Sequence, residues 1–346
     1  MRFGRLEPPG RVALAEAPAP RAGPGELVVE MAACGICGTD LEKVRGGYTA
    51  TATLGHEPVG RVASVGDGVS RYAVGDRVFV HHHVPCRACA ICARGDFTFC
   101  PEYQKTNLDP GGFAERFRVS AVHLRAGAVL ALDDRVGWEE GTLLEPAGCV
   151  VTALRRVGFT PGSSVFVYGL GPVGLLYARI VRALGASWVG GAEIAPLRRT
   201  AAERGGIDVA LDPREPSVVT DAVRRATDGR GVDLAVVATG ARAAVTGAID
   251  LARRGGTVNL FGLPAAGSQM ETDLQQFYLR GLRLIPSYAT GEEEIAEVHR
   301  LLVDGRLHVA DLVSDRFALA ELAEAFERAR QPDVTLKVVV TGPAFR

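Results

Sequence analysis

The stretch Ser164–Gly174 constrains this chain more than any other. An apolar run, Ser164–Tyr168 (SVFVY), leads into Gly169-Leu170-Gly171-Pro172-Val173-Gly174, and a helical pattern over Val173–Leu184 follows at once. A G-x-G-x-x-G turn between a strand and a helix lets the backbone approach a pyrophosphate, which then rests on the N–H groups of the helix start. By itself the pattern is equally a glycine-rich turn with no ligand; strand, turn and helix together favour a dinucleotide site. Glu193 lies 19 residues beyond Gly174, at the end of a second run, Trp188–Ala192 (WVGGA). A carboxylate there accepts hydrogen bonds from a ribose 2′-OH and repels a 2′-phosphate. NAD is therefore expected over NADP, although Arg198 and Arg199 lie close enough to Glu193 to complicate the choice.

Further strands are expected at Leu234–Ala238, Thr257–Phe261 and Leu282–Pro286, alternating with helical segments such as Ala241–Ala252. Alternation of this kind gives a parallel, doubly wound sheet. Before Glu145 the pattern differs: Glu26–Met31, Val59–Val65 and Arg77–Val80 are short apolar runs. Turn signals at Gly66-Asp67-Gly68 and Gly75-Asp76 separate them, which predicts a barrel-like or open β domain. Near the end, helices are expected over Glu292–Asp304 and Ala318–Arg330, and a strand over Thr335–Val340. A length of 346 residues suits two domains.

A formal net charge of −1 leaves no basic field to gather nucleic acid. The first residues, MRFGRLEPPG, lack the apolar core of a signal peptide, and no run approaches the ~18 apolar residues of a spanning helix. A cytoplasmic protein with neither nucleic-acid nor membrane partners is expected. Of its seven cysteines, Cys86, Cys89, Cys92 and Cys100 fall within 15 residues as C-x2-C-x2-C-x7-C. Four thiolates in so short a loop can close a tetrahedron around zinc, a structural site. The x7 gap departs from ferredoxin spacings, and a disulfide pair is the plainer alternative.

A second metal site is suggested by Cys37 in CGICGTD, His56 in LGHEPVG and Glu145 in LLEPAGCV. One thiolate, one imidazole and one carboxylate leave zinc a fourth position open for water or an alcohol oxygen. Each residue has a plainer reading. Cys34 and Cys37 could be a redox pair or two buried thiols, His56 a core histidine and Glu145 a helix cap. His81, His82 and His83 point to alternate faces of an extended segment, so they cannot all bind one ion, and at most one lines a cleft. Cys149 reads as a buried thiol at a helix start rather than a ligand.

Taken together, CGICGTD (34–40), GHEPVGRVASVGDGV (55–69), VGDRV (74–78), the cysteine loop, GGFAE (111–115), LEPAG (144–148) and YGLGPVG (168–174) resemble the zinc-containing medium-chain dehydrogenases. That superfamily includes alcohol, sorbitol and threonine dehydrogenases. The resemblance runs from near residue 1 to Lys337. It implies an α/β protein with a GroES-like β-rich catalytic domain over 1–147 and 291–346, bearing the zinc loop 86–100. A doubly wound Rossmann NAD-binding domain over 148–290 would be inserted in it, with a cleft between the two.

The resemblance also implies roles. Cys37, His56 and Glu145 would hold a catalytic zinc, with Glu57 as an alternate ligand and Asp40 orienting the metal-bound His56. Thr39 would begin a proton relay. Where many relatives continue it with a histidine, this chain has Glu42, which puts a histidine-based relay in doubt. Cofactor contacts would come from Gly169, Leu170, Gly171, Pro172, Val173, Gly174, Glu193, Arg198 and Thr239. The implied enzyme carries two zinc ions per chain and transfers hydride between a secondary alcohol, polyol or sugar hydroxyl and NAD(P), by way of a zinc-bound alkoxide. A Glu at 145 leans towards the sorbitol- and threonine-type branch. The 41–53 and 103–110 segments would help line the pocket, and relatives assemble as homotetramers or homodimers. Two rivals remain: a zinc-free quinone or enoyl reductase on this fold, and a zinc-ribbon module that senses NAD(H) without turnover.

Overall fold

The computed structural model describes residues 1–7, 10–46, 53–270 and 272–345; of the expected pocket segment 41–53, residues 47–52 lie outside these. Two sheets organise the chain. The first has seven strands and is built from both ends of the sequence. Its central strand, Leu27–Gly35, pairs antiparallel with Glu57–Val65, Arg116–Val119 and Lys337–Thr341, and the last of these pairs parallel with Val313–Ala318. Arg77–Val80 and Val129–Ala131 extend the other side.

The central strand changes faces partway along. Leu27, Val29 and Met31 enter one apolar core, with Phe113, Phe117 and Phe326. The register then slips between Met31 and Ala33, and Ala33 turns instead into the core shared with Val59 and Phe79, while Cys34 joins the first. A one-residue slip exchanges the faces of every later side chain. It sets the orientation in which this strand reaches Gly35 and hands the chain to Cys37.

The second sheet has six parallel strands in the order Val209–Leu211, Trp188–Ala192, Ser164–Tyr168, Val232–Val237, Ala252–Leu260 and Arg283–Pro286. Strand order reverses between Ser164–Tyr168 and Val232–Val237, which is where a doubly wound sheet opens a crevice for a ligand. Val165, Val167 and Val236 are buried on one face and Phe166, Ala235 and Val237 on the other, as expected for strands covered on both sides by helices.

The long helix Leu144–Val157 packs against Pro172–Ala183 and Glu292–Val303, and its buried face shares one core with both sheets. Side chains of the cysteine loop also reach across: Arg87 pairs with Glu292, Arg156 Nη1 lies 3.3 Å from Asp96 Oδ1, and Tyr103 Oη donates to the Thr290 carbonyl at 2.7 Å. The expected helix over 318–330 begins as a tight turn at Leu319–Glu321 and is α-helical over Leu322–Ala329. Among the described residues no helix is long and apolar enough to cross a membrane.

Candidate active site

Cys37 caps the N-terminus of the short helix Gly38–Arg45. Its N–H donates to Asp40 Oδ2 at 3.2 Å, and its sulfur lies 3.8 Å from Thr39 Oγ1. The same Asp40, fully buried, accepts the Gly55 N–H on Oδ1 at 3.1 Å and faces His56 Nδ1 at 3.5 Å. With Nδ1 turned to a carboxylate, Nε2 is the nitrogen left for a metal. Burial disfavours a charged His56, yet Asp40 and Cys37 outweigh it and push the imidazole well above its usual range. A site with that field attracts positive charge.

Gly55, with φ +77, admits this approach: a Cβ there would stand 2.5 Å from the Phe113 nitrogen. His56 is then followed by Glu57 at the start of strand Glu57–Val65. Ligand atoms of Cys37, His56 and Glu57 all lie within 4.8 Å of one another. A thiol, an imidazole and a carboxylate at that spacing suit a divalent ion of zinc's softness. Glu57 Oε2 forms an ion pair with Lys337 Nζ at 2.5 Å, and its Oε1 is buried with no hydrogen-bond partner among the described residues, as a ligand oxygen would be. Burial pushes the Glu57 carboxyl up, against the pull of Lys337.

Glu145 is brought to the neighbourhood but not into that tight set. It sits buried in the first turn of Leu144–Val157, and its Oε1 accepts the Cys149 thiol, one turn later, at 3.4 Å. Burial and Glu145 together push the Cys149 thiol well above its usual range, so it stays a donor. Glu42 faces outward from the helix that begins at Gly38 and pairs with Arg45 at 2.7 Å.

Cys86, Cys89, Cys92 and Cys100 form the other cluster. Cys86 and Cys92 sulfurs are 4.0 Å apart and Cys89 and Cys100 sulfurs 3.9 Å, close to the roughly 3.8 Å edge of a tetrahedron with Zn–S near 2.3 Å. Backbone N–H groups of Ala88 and Cys89 hold the Cys86 thiol down to about 6, favouring the thiolate a metal needs. The Cys86 N–H also points at Cys100 sulfur at 3.3 Å. All seven cysteines are free, so the disulfide alternative is not realised.

In the parallel sheet, Gly169 (φ +87) ends strand Ser164–Tyr168 at the switch point, against Ala238 and Thr239. A Cβ on Gly174 would lie 1.8 Å from the Gly169 carbonyl, so only glycine lets the helix Pro172–Ala183 start this close to the turn. At Gly171 the corresponding direction is open, the nearest atom being Arg198 Nη1 at 3.4 Å. That is the cradle a pyrophosphate needs. Pro172 occupies the first helical turn, and Leu170 and Val173 complete the loop. Glu193 Oε2 accepts the Leu170 N–H at 2.9 Å and Oε1 the Ala195 N–H at 3.1 Å. Each oxygen keeps a lone pair for a ribose hydroxyl. Arg199 turns away, bonding the Glu193 carbonyl at 2.6 Å, whereas Arg198 Nε beside the glycine turn is buried without a partner among the described residues.

At the metal set Lys337 escapes sequence reasoning, and His82 is foreseen there only as one of three consecutive histidines of which at most one lines a cleft. Lys337 stands as the single charge in VTLKVVV, an apolar final strand, and that oddity was the available signal. His82 packs its ring 5.0 Å from His56, and burial, then His83 and His56, hold it well below the usual imidazole range. Nothing local distinguishes it from His81 and His83.

Residues 23–126 match the alcohol dehydrogenase GroES-like domain, and residues 172–304 match the zinc-binding dehydrogenase domain. A sorbitol dehydrogenase of Bacillus subtilis is 32% identical over 342 residues, spanning 93% of this chain and 92% of its own. Alcohol dehydrogenase TADH from Thermus sp. ATN1 superposes with a TM-score of 0.88 at 28% identity, over 99% of this chain and 100% of its own. An alcohol dehydrogenase of Thermotoga maritima shares the fold, with a TM-score of 0.90 at 22% identity over 99% of this chain and 98% of its own.

Proposed function

This chain belongs to the zinc-binding alcohol dehydrogenase family, and from that premise we propose that Cys37, His56 and a carboxylate hold its catalytic zinc. It is an NAD(P)-dependent oxidoreductase moving hydride between a CH–OH carbon and a nicotinamide. The observation that carries the site is the convergence of Cys37, His56 and Glu57 within 4.8 Å, from a helix cap and a strand start distant in sequence. Zinc held there would supply the Lewis acidity that makes a substrate hydroxyl acidic near neutral pH. NAD(P) in the crevice supplies the hydride acceptor.

The chain's own residues do the rest. Asp40 fixes His56 through Nδ1, presenting Nε2 in one orientation. Thr39 Oγ1, beside the Cys37 sulfur, would accept the substrate's hydroxyl proton while giving up its own, and Glu42, on the outward face of the same helix, would release a proton to solvent. Glu145, in the first turn of Leu144–Val157 with one oxygen on the Cys149 thiol, would serve as the third ligand, with Glu57 as the alternate. Glu193 takes the ribose hydroxyls, which favours NAD over NADP. Cys86, Cys89, Cys92 and Cys100 enclose a second zinc that pins their loop.

The substrate is a secondary alcohol, polyol or sugar, as the name of the Bacillus subtilis relative suggests. We place the domain boundaries near 147 and 290, and a homodimer or homotetramer contact at the free edge strand Arg283–Pro286 beside exposed Leu274 and Tyr278. Seven free cysteines fit a reducing, cytoplasmic setting. The deciding experiment follows NADH absorbance over an alcohol, polyol and sugar panel, with NAD and NADP in parallel, with and without a chelator. Turnover abolished by chelation, with two zinc per chain, is the expected result. Turnover by a zinc-free chain overturns it in favour of a reductase, and NADH binding with no turnover favours a sensor.

A further inference from the structure

One buried amide in the parallel sheet joins three elements. Asn259, next to the carboxyl end of strand Ala252–Leu260, is fully buried. Its Nδ2 donates to the Ile285 carbonyl at 2.9 Å and to Ser287 Oγ at 2.8 Å, and its Oδ1 accepts the Tyr177 hydroxyl at 3.3 Å. A carbonyl can only accept, so the nitrogen has to face Ile285 and the amide has one orientation. Asparagine is depleted in strands, and an apolar side chain would fill such a core without a desolvation cost. Nor does strand pairing require it, because Asn259 already opposes Ile285 in register and the Ser287 N–H donates to the Leu260 carbonyl at 3.0 Å. What the side chain adds is a grip on Ser287, the first residue beyond the edge strand Arg283–Pro286.

Ser287 opens a strip, Ser287–Thr290, that runs from the sheet towards the metal set. Ala289 within it has φ +57, a left-handed conformation that a residue with a Cβ keeps only where its surroundings hold it. At the far end the Thr290 carbonyl accepts the Tyr103 hydroxyl at 2.7 Å, and Thr290 Oγ1 accepts Thr152 Oγ1 at 3.2 Å. A Cβ on Gly148 would lie 2.8 Å from Thr290 Oγ1, and Gly148 belongs to the same helix start as Glu145. Ser287, Tyr288 and Ala289 are partly exposed, as are Ala238 and Thr239 and Phe261 and Gly262 at the ends of the neighbouring strands. They form an open rim. Glu193 lies on the other side of the switch point, beyond strand Trp188–Ala192. A dinucleotide with one ribose at Glu193 and its pyrophosphate at Gly169–Gly174 has to send its other half over this rim.

We propose that Asn259 is a positioning residue for the nicotinamide half of the dinucleotide, acting through Ser287 on the strip Ser287–Thr290. This rests on the dinucleotide site argued above. Asn259 does not touch the cofactor. It fixes one end of the strip to the sheet while Tyr103 and Thr152 fix the other to the metal-bearing side, so the surface beneath the nicotinamide is set before the cofactor arrives. A surface held in its bound form saves the ordering cost that binding would otherwise carry. The adenosine half lies across the switch point and has no link to Asn259, so its binding is independent of the amide.

The test titrates the zinc-loaded protein by calorimetry with NADH and, separately, with ADP-ribose, which carries the adenosine, pyrophosphate and second ribose but no nicotinamide. Wild type is compared with Asn259→Leu, which removes all three bonds, and Ser287→Ala, which removes only the grip on the strip. Expected is a rise in the Kd of NADH of about tenfold in N259L and about threefold in S287A, the worth of one hydrogen bond or less. The Kd of ADP-ribose should stay within about twofold of wild type in both, since that ligand does not reach the strip. A merely structural amide would weaken the two ligands alike when removed. Equal losses on both, or none on either, therefore overturn the assignment. If N259L does not fold, S287A decides alone: a loss confined to NADH supports the proposal, and an equal or absent loss overturns it. A wild type that binds neither ligand brings down the dinucleotide site itself, and this inference with it.

Discussion

Lys337 Nζ stands 2.5 Å from Glu57 Oε2 in the protein interior, with side-chain exposures of 3% and 0%. The pair ties the final strand of the chain to the start of strand Glu57–Val65, next to His56. Gly35 makes room for it: a Cβ there would lie 1.9 Å from Glu57 Oε2 and 2.8 Å from Lys337 Cε. Burial opposes the charge on Lys337, but Glu57, together with Cys37 and Glu145, outweighs it and holds the ammonium above its ordinary value. Two buried opposite charges offset their desolvation only while both are present.

Removing one partner is therefore expected to cost more than removing both. Lys337→Met or Glu57→Gln alone should lower stability by about 3–5 kcal/mol, and the double variant by much less than the sum. Urea unfolding of the four proteins in a double-mutant cycle measures this. Additive losses would show that the charges do not support each other.

The two metal clusters should separate in their effects. Cys92→Ser opens a four-thiolate set that crosslinks its own loop, so one of two zinc equivalents and several degrees of melting temperature should be lost. Cys37→Ser should lose the other equivalent and turnover while the melting temperature changes far less, because helix Gly38–Arg45 and strand Glu57–Val65 are held by their own packing. Metal analysis with thermal melts checks both, and a C37S protein that keeps two tightly bound zinc ions refutes the assignment.

What the sequence made legible follows from distance along the chain. The cysteine loop closes over 15 residues and the glycine turn over six, so spacing alone exposes them. Glu193 is readable because one helix and one strand separate it from the turn by a nearly fixed length. The strands Val209–Leu211 and Val313–Ala318 were not legible, being half-buried and without a clean apolar run. Nor was the choice among carboxylates: whether Glu57 or Glu145 faces Cys37 depends on Lys337 and Cys149, partners set by tertiary packing. The place of His82 was hidden for the same reason, since which of three consecutive histidines keeps a ring nitrogen without a partner among the described residues is decided by Glu292, Tyr103 and Thr106.

Nucleotide choice should turn on Glu193. Its carboxylate bridges the N–H groups of Leu170 and Ala195, with Arg198 beside Gly171, and it is the group proposed to take the ribose hydroxyls. Glu193→Gln keeps the shape and removes the charge that repels a 2′-phosphate. Expected are a rise of about tenfold in KM for NAD and a fall in KM for NADP, measured with one alcohol at saturation. Equal changes for both nucleotides would point to a disturbed glycine turn instead.

Stability at low pH should depend on a link between the dinucleotide sheet and the segment that returns to the first domain. Arg179, buried in helix Pro172–Ala183, donates to Asp311 Oδ1 at 2.5 Å and Oδ2 at 2.7 Å, and to the His308 carbonyl at 2.8 Å. Those bonds, from Arg179 above all, hold the Asp311 carboxyl below its ordinary 3.8. Because the folded value is the lower one, the unfolded chain takes up its proton first as pH falls. The stabilisation is thus complete above about pH 5, and it is lost as pH falls through 3.8 and then through the folded value. Asp311→Asn removes the titrating group, so wild type should exceed it by about 1 kcal/mol at pH 7, since solvent screens a half-exposed carboxylate. The gap should narrow as pH falls below 3.8 and vanish only below the folded value. Urea unfolding at neutral pH and below 3.8 reads the difference directly, and a gap independent of pH would assign the contribution of Asp311 to packing rather than to its charge.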